Sequence, residues 1–198
     1  FAVKADTYAK QGGMNKRHAG EDFYFLHKIF PLGYCSRVYD ARVYPSGRAS
    51  VRVPFGTGPA VNELLSNRNL LLVYHPLVFV ELSAFYHNLS VLWHKGEFFS
   101  VMPDAFRLFW EEKKLDDKLN DAMKHSSSEY QFKRRILHHF DAFQLVKYLN
   151  FAHKTGFYKK MEIKQALSYL LRAFHQTPEK SLPGLLKQMR YLERANPP

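Results

Sequence analysis

The chain has 198 residues, enough for one ordinary domain or two small ones, and its 46% hydrophobic and 16% aromatic content excludes an intrinsically disordered protein. Its formal net charge of +11 at pH 7 points toward a polyanionic neighbour, namely a nucleotide-sugar pyrophosphate, an anionic lipid surface or a nucleic acid. The single cysteine, Cys35, excludes an intramolecular disulfide and fits a reducing compartment better than an oxidising one.

The chain opens with a strand-like stretch, a turn and a short helix. Residues 1–5 have the apolar character of a strand, and residues 11–14, which contain two glycines, predict a turn after it. Further on, Phe23, Leu26 and Phe30 recur at three- and four-residue spacing. This spacing predicts a short helix that buries the face these three residues share.

Two adjacent acidic residues, Glu21 and Asp22, fall in the first turn of this predicted helix. The helix dipole favours negative charge there, by about 0.3–1 kcal/mol for an exposed group, which keeps Asp22 ionised and able to accept a proton. Asp22 is therefore a candidate general base. The alternative is that the pair is only a helix cap, because acidic residues are common in first turns for electrostatic reasons alone.

Two arginines follow in a segment with the alternating pattern of strands. Residues 34–39 and 41–44 predict strands, and a glycine-rich turn is predicted at residues 56–58. Arg48 and Arg52 lie four residues apart ahead of this turn. Arginine suits phosphate binding because its planar fork gives two hydrogen bonds to one phosphate. The alternative is an ordinary strand with outward-facing arginines.

From Pro59 onward the composition changes to long helical patterns, and we place a boundary there. The longest apolar stretch, residues 70–93, is interrupted by histidine, proline, glutamate and asparagine, so it predicts a buried helix and not a membrane span. Ser128 and Gln131 have capping-box spacing and introduce the clearest helical pattern of the chain. The predicted helices cover roughly residues 60–67, 76–94, 103–114, 115–123, 128–154, 160–174 and 183–194.

Histidines in the helical region do not predict a metal site. His87 and His94 lie seven residues apart on one predicted helix, and residues 138–141 hold two further histidines and an aspartate. A helical zinc pair needs ligands four residues apart with a third from elsewhere, and no such set stands out. Solvated or core-edge histidines are the simpler interpretation.

The densest basic run, residues 133–135, is a weak signal for nucleic acid. The aromatic residues of the same predicted helix fall mainly on its apolar stripe, and no known module spacing is present. A solvated helix face is the simpler interpretation of this run. A membrane-surface or partner-docking face is the alternative.

The segment Phe1–Tyr34 reads FAVKADTYAKQGGMNKRHAGEDFYFLHKIFPLGY and resembles an element of glycosyltransferases of the GT-A fold, especially bacterial family 2 enzymes and the galactosyltransferase C-terminal region. In these enzymes the acceptor site is formed by a segment with a fixed order of features. The order is a strand, a tyrosine, a glycine pair, a Glu-Asp pair, a helix and a Leu-Gly-Tyr sequence. The resemblance covers about residues 1–59. It implies that Asp22 deprotonates the acceptor hydroxyl and that Glu21 orients this base or binds sugar hydroxyls. The substrate-binding residues that it implies are Gly12, Gly13, Arg48 and Arg52.

The resemblance also implies a fold class and a domain organisation. We expect an α+β, predominantly helical chain, in which residues 1–59 are a strand-containing remnant of the catalytic domain and residues 60–198 form a helical C-terminal domain. Asp116 and Asp117 are adjacent and do not form the Asp-x-Asp motif that holds Mn²⁺ or Mg²⁺ on the donor diphosphate. The metal and the nucleotide-binding half are therefore expected only in a full-length enzyme, in sequence before Phe1.

The expected function follows from this organisation. We expect a fragment, inactive alone, of a cytoplasmic glycosyltransferase of cell-envelope glycan synthesis. The full enzyme would transfer a sugar from a nucleotide-diphosphate donor to a hydroxyl of a glycan or lipid-linked acceptor. We expect possible peripheral contact with the inner face of the membrane and no nucleic-acid partner. The alternative is a non-catalytic, basic helical module that binds a protein partner or an anionic membrane surface.

Overall fold

Two compact units make up the chain, Phe1–Leu70 and Leu71–Pro198. The structure is a computed structural model. The boundary predicted at Pro59, between a remnant of a catalytic domain and a helical domain, stays a prediction. The residues that the structure describes are 1–16, 20–38, 40–41, 43–44, 46–47, 57–66, 71–95 and 102–195.

The first unit is helical over much of its described length. The short helix predicted with the acidic pair in its first turn is confirmed, and Gly33, with φ of 76°, follows the short turn that ends it. The helix predicted at residues 60–67 is also confirmed and begins three residues earlier than predicted. The elements are α1 (Ala5–Lys10), α2 (Glu21–Ile29), a 3₁₀ turn (Phe30–Leu32) and α3 (Thr57–Ser66).

The strands predicted in the first unit are wrong where the structure describes them. Residues 1–4 are irregular, α1 begins at Ala5, and the described residues of 34–44 contain no strand. An acidic first turn favours the helix, because Asp6 lies near its N-terminus and the carboxylate is 3.8 Å from the Lys10 ammonium one turn later. A strand also needs a partner for its backbone hydrogen bonds, which an alternating pattern alone does not supply.

The second unit packs helices around one core and adds a small antiparallel sheet. In this sheet Leu72 lies opposite Glu162 and Val73 lies opposite Met161. The coarse prediction of a predominantly helical α+β fold is confirmed, whereas a GT-A origin of the first unit stays a prediction. The elements are β1 (Leu72–Val73), α4 (Leu77–His87), α5 (Leu89–Lys95), α6 (Asp104–Glu112), α7 (Leu115–Lys124), α8 (Glu129–His139), α9 (Ala142–Lys154), β2 (Met161–Glu162), α10 (Ile163–Ala173) and α11 (Leu182–Ala195).

Aromatic side chains fill the core of the second unit. The Phe85 ring of α4 lies 4.9 Å from Phe106, 5.0 Å from Phe140 and 5.8 Å from Trp110, measured between ring centroids. All four side chains are buried. Such pairs contribute about 0.5–1.5 kcal/mol beyond their buried area. The helix predicted at residues 103–114 is confirmed as α6, and these ring contacts hold α4 and α6 against the end of α8.

Two of the predicted helices are each divided by a break. The break between α4 and α5 lies at Asn88, whose Nδ2 donates to the Ala84 carbonyl at 2.9 Å. The break between α8 and α9 lies at Asp141, whose Oδ1 accepts from the N–H groups of Phe143 and Gln144 at 3.0 and 2.9 Å. Hydrophobic periodicity continues through both breaks because the helices on either side line the same core. The breaks are therefore set by polar side chains that bond the backbone.

Candidate functional site

The acidic pair lies at the exposed N-terminus of α2. Gly20, with φ of 74°, precedes the helix in the left-handed conformation, and both Glu21 and Asp22 are exposed. Asp22 Oδ1 accepts from the N–H of Phe23 at 2.7 Å. Within the described residues Asp22 Oδ2 and both carboxylate oxygens of Glu21 are free of such bonds. These oxygens remain able to accept protons or hydrogen bonds from a ligand.

The buried face of α2 differs from the predicted one. Phe25 and Ile29 are buried, at 1% and 8% exposure, whereas Phe23 and Phe30 are exposed at 36% and 60%. The prediction of a face containing Phe23, Leu26 and Phe30 was wrong because the helix is rotated so that positions 25 and 29 point inward. Helical periodicity then places the two acids one turn before Phe25, on either side of the buried face.

The glycine pair forms a tight turn that is held against α2. Gly12 and Gly13 both have positive φ, of 71° and 63°. A Cβ on Gly13 would lie 2.9 Å from the Tyr8 ring, so the turn depends on glycine at this position. The Tyr8 hydroxyl accepts from the Met14 N–H at 3.1 Å, and its ring packs 5.1 Å from that of Phe25. The turn therefore belongs to the same packed unit as α2.

Among the described residues no hydrogen bond joins the glycine turn to the acidic pair. The turn contacts the C-terminal part of α2, where Lys28 Nζ donates to the Gln11 carbonyl at 3.3 Å. Glu21 and Asp22 lie at the opposite, N-terminal end of the helix. Arg48 and Arg52, the predicted phosphate ligands, lie outside the described residues. The acids are therefore carried by a helix that is held by the turn and by its own buried face.

The histidines of the helical region are spread over several helices. His87 belongs to α4 and His94 to α5, so the break at Asn88 separates two histidines that were predicted on one helix. His94 Nε2 lies 3.4 Å from Glu129 Oε2, and the rings of His138 and His139 lie 5.7 Å apart. Across the described ranges, no group of three or more histidine, cysteine, aspartate or glutamate side chains is placed to hold a metal ion.

The basic run of α8 is partly neutralised by its own helix. Lys133 Nζ lies 2.6 Å from Glu129 Oε1, and the Arg134 guanidinium lies 5.9 Å from the centre of the Tyr130 ring. The Lys133 hydrogen bond, with further bonds from Ser90 and His94, lowers the pKa of Glu129 to about 2. These contacts are those of a charged helix face in water.

A partly buried polar cluster in the second unit, of Glu81 with two tyrosines, was not predicted from the sequence. The Tyr148 hydroxyl donates to Glu81 Oε2 at 2.9 Å, and the Tyr158 hydroxyl donates to Glu81 Oε1. Burial and these bonds to the carboxylate raise the pKa of both tyrosines above 10.0. Glu81 and Tyr158 are 77 residues apart, so no local sequence signal joins them. The cluster ties α4 to α9 and to the segment after it.

A histidine beside this cluster closes a further long-range contact. The His75 backbone N–H donates to His153 Nε2 at 2.8 Å, and His153 Nδ1 lies 2.7 Å from the Leu149 carbonyl. Nδ1 must carry the proton that reaches this carbonyl, which leaves Nε2 as the acceptor. His153 therefore has a structural role between β1 and α9.

Comparison with known proteins supplies no family for this chain. No protein-family model, no curated protein and no solved structure matches it. Among the helices that the structure describes, none has both the length and the apolar character needed to cross a membrane.

Proposed function

We propose that this chain carries the acceptor side of a glycosyltransferase active site, with Asp22 as the general base. The observation that supports this proposal is the exposed Glu21–Asp22 pair at the N-terminus of α2. This helix is held in place by the buried Phe25 and by the glycine turn. A catalytic carboxylate needs this combination of open access and a fixed backbone.

The proposed chemistry is a single displacement at a sugar carbon. The acceptor hydroxyl oxygen forms a bond to the anomeric carbon, the bond from that carbon to the donor diphosphate breaks, and the hydroxyl proton passes to a carboxylate oxygen of Asp22. Glu21 binds sugar hydroxyls or orients Asp22. A positioned base contributes about 10²–10⁴ in rate, or about 3–5 kcal/mol of barrier.

The metal implied by the resemblance has no fitting ligand set among the described residues. Mn²⁺ or Mg²⁺ would neutralise charge on the donor diphosphate, and hard cations of this kind take carboxylate oxygens as ligands. The described residues bring no group of such ligands together. The proposal therefore keeps the metal and the donor nucleotide in a full-length enzyme and assigns this chain only the acceptor, whether a glycan or a lipid-linked hydroxyl.

The proposed location is the cytoplasmic face of the membrane, where lipid-linked acceptors are found. The net charge of +11 supports peripheral contact with an anionic leaflet. A nucleic-acid partner is not proposed, because α8, which carries the densest basic run, pairs Lys133 with its own Glu129.

A calorimetric titration followed by an activity assay tests the proposal. The complete gene product is titrated with nucleotide-diphosphate sugars in the presence of Mn²⁺ or Mg²⁺, and sugar transfer is then measured for Asp22→Asn. The matched control is Asp6→Asn, since Asp6 is also an exposed acid in a helix first turn.

We expect Asp22→Asn to lower kcat by about 10²–10⁴ while leaving donor binding intact, and Asp6→Asn to have little effect. Turnover of Asp22→Asn within a few-fold of the wild type would exclude Asp22 as the base. If the complete gene product bound no donor, the non-catalytic interaction module would replace the enzyme as the proposed function.

A further inference from the structure

A basic cleft lies beside α10 in the second unit, with a volume of about 630 Å³. Lys164, Ser168 and Arg172 line it at four-residue intervals, so they lie along one side of the helix. The segment after α10 forms the facing wall with Thr177 and Lys180, among other residues. The volume is in the range of pockets that bind small molecules, which is about 300–1,000 Å³.

The facing wall is fixed by hydrogen bonds from α11. Gln188 Nε2 donates to the Thr177 carbonyl at 2.9 Å, and Gln188 Oε1 accepts from the Glu179 N–H at 2.9 Å. A Cβ on Gly184 would lie 2.8 Å from the Cβ of Glu179, so glycine permits this close approach. The wall is therefore held in place before any ligand arrives, which lowers the entropic cost of binding.

The C-terminal carbonyls of α10 are capped next to Arg172. The His175 N–H donates to the Arg172 carbonyl at 2.9 Å, and the Gln176 N–H donates to the Leu171 carbonyl at 2.8 Å. This capping reduces the negative partial charge that a helix C-terminus would present to an anion.

The charge of the cleft favours an anionic ligand. It is lined by three cationic side chains, those of Lys164, Arg172 and Lys180, and by one carboxylate, that of Glu179. In the part of the chain that the structure describes, none of these four groups is in an ion pair. The cations of α8, by contrast, include one that is paired within its own helix.

We propose that this cleft binds the phosphate group of a phosphorylated small molecule. Arg172 supplies a planar fork for two phosphate oxygens, and Lys164 supplies a second positive charge two turns away. The hydroxyls of Ser168 and Thr177 add hydrogen-bond donors. The same chemistry fits a free phosphorylated molecule or a phosphorylated lipid headgroup. This inference does not depend on the proposed transferase activity, because it uses only residues of the second unit.

Two ligands distinguish the sources, and both are tested on the full chain. The soluble probe is inorganic pyrophosphate, measured by calorimetry. The lipid probe is a phosphatidylcholine vesicle containing phosphatidic acid, measured by co-sedimentation. The variants are Arg172→Gln and Lys164→Gln, both at exposed positions that folding should tolerate, with circular dichroism as the check. The control is Arg190→Gln, which removes the same charge from an exposed position of α11 outside the cleft.

We expect pyrophosphate to bind, and each cleft variant to weaken binding about tenfold or more, while Arg190→Gln leaves it unchanged. Binding of phosphatidic acid vesicles alone, with the same dependence on Arg172 and Lys164, would support the cleft and identify a lipid headgroup as its ligand. The proposal is overturned if neither probe binds. It is also overturned if the control variant weakens binding as much as Arg172→Gln does, because only net charge would then be involved.

Discussion

Replacing Tyr148 by phenylalanine tests the partly buried cluster around Glu81. The Tyr148 side chain is fully buried and its hydroxyl bonds a carboxylate oxygen at 2.9 Å. Removing this hydroxyl leaves Glu81 Oε2 without its donor. Hydrogen bonds to charged groups contribute about 1.5–3 kcal/mol, so we expect Tyr148→Phe to lower the free energy of unfolding by about that amount at neutral pH.

The raised pKa of the Tyr148 hydroxyl also predicts that the free energy of unfolding depends on pH in the alkaline range. The folded-state pKa of Tyr148 is raised above the ordinary value of 10.0, first by burial and then by the bond to Glu81. Its contribution is therefore fully present below pH 10.0 and is lost as the pH rises above it, because the unfolded chain releases a proton that the folded chain keeps. For one such tyrosine the free energy of unfolding falls by about 1.4 kcal/mol per pH unit.

Urea unfolding on both sides of pH 10.0 measures this slope. We expect Tyr148→Phe to lose stability less steeply than the wild type, by about 1.4 kcal/mol per pH unit. Tyr191→Phe is the control, because Tyr191 is 72% exposed. An alkaline slope in Tyr148→Phe equal to that of the wild type, or an equal reduction in Tyr191→Phe, would refute the reasoning.

Two further predictions concern the glycine turn and the start of α8. Gly13→Ala should lower the free energy of unfolding of the first unit by about 1–3 kcal/mol more than Gly12→Ala does, because only Gly13→Ala places a Cβ 2.9 Å from a tyrosine ring. Urea unfolding of both variants measures the difference, and equal losses of unfolding free energy would contradict the prediction. Lys133→Met should raise the pKa of Glu129 from about 2 toward 4.5, as seen in an NMR titration of its carboxyl carbon. Since the folded-state pKa of Glu129 is depressed, its stabilisation of the fold is present above pH 4.5 and is lost as the pH falls toward 2. An unchanged titration of Glu129 in the variant would show that Lys133 is not the main cause of the lowered pKa.

Helices were predictable from sequence wherever periodicity and a terminal signal agreed. The helix predicted at residues 103–114 is α6, where Phe106, Phe109 and Trp110 recur at helical spacing and are all buried. The capping pair at the start of α8 was also predictable, since the Ser128 side chain accepts from the Gln131 N–H at 3.3 Å. In both cases the information lies within one or two turns of the chain.

The interruptions of long helical patterns were harder to predict. Asp141 has a glutamine three residues later, which is a capping signal, but the apolar positions around it keep helical spacing. The strands predicted near residues 1–5 and 34–39 failed in their described parts for a different reason. An alternating pattern predicts an extended chain only if a neighbouring strand pairs with it, and that neighbour is set by tertiary structure.

The candidate site was predictable only in its local part. Glu21 and Asp22 were placed correctly in the first turn of a helix, because that placement depends on adjacent residues. The face of α2 that packs inward was not predictable, because it depends on Tyr8 in the preceding helix. The cluster of Glu81 with two tyrosines was likewise not predictable from the sequence, because its residues meet only after α4 and α9 have packed.

The small sheet of the second unit has a consequence for the order of folding. It has only two residues on each strand, and the neighbouring contact between His75 and His153 spans 78 residues of sequence. Closing so long a loop costs chain entropy that a ladder of this length does not offset alone. We therefore expect the strands to pair only after α4 to α9 have collapsed onto the aromatic core, and the amide protons of this sheet to exchange with solvent sooner than those of the core helices.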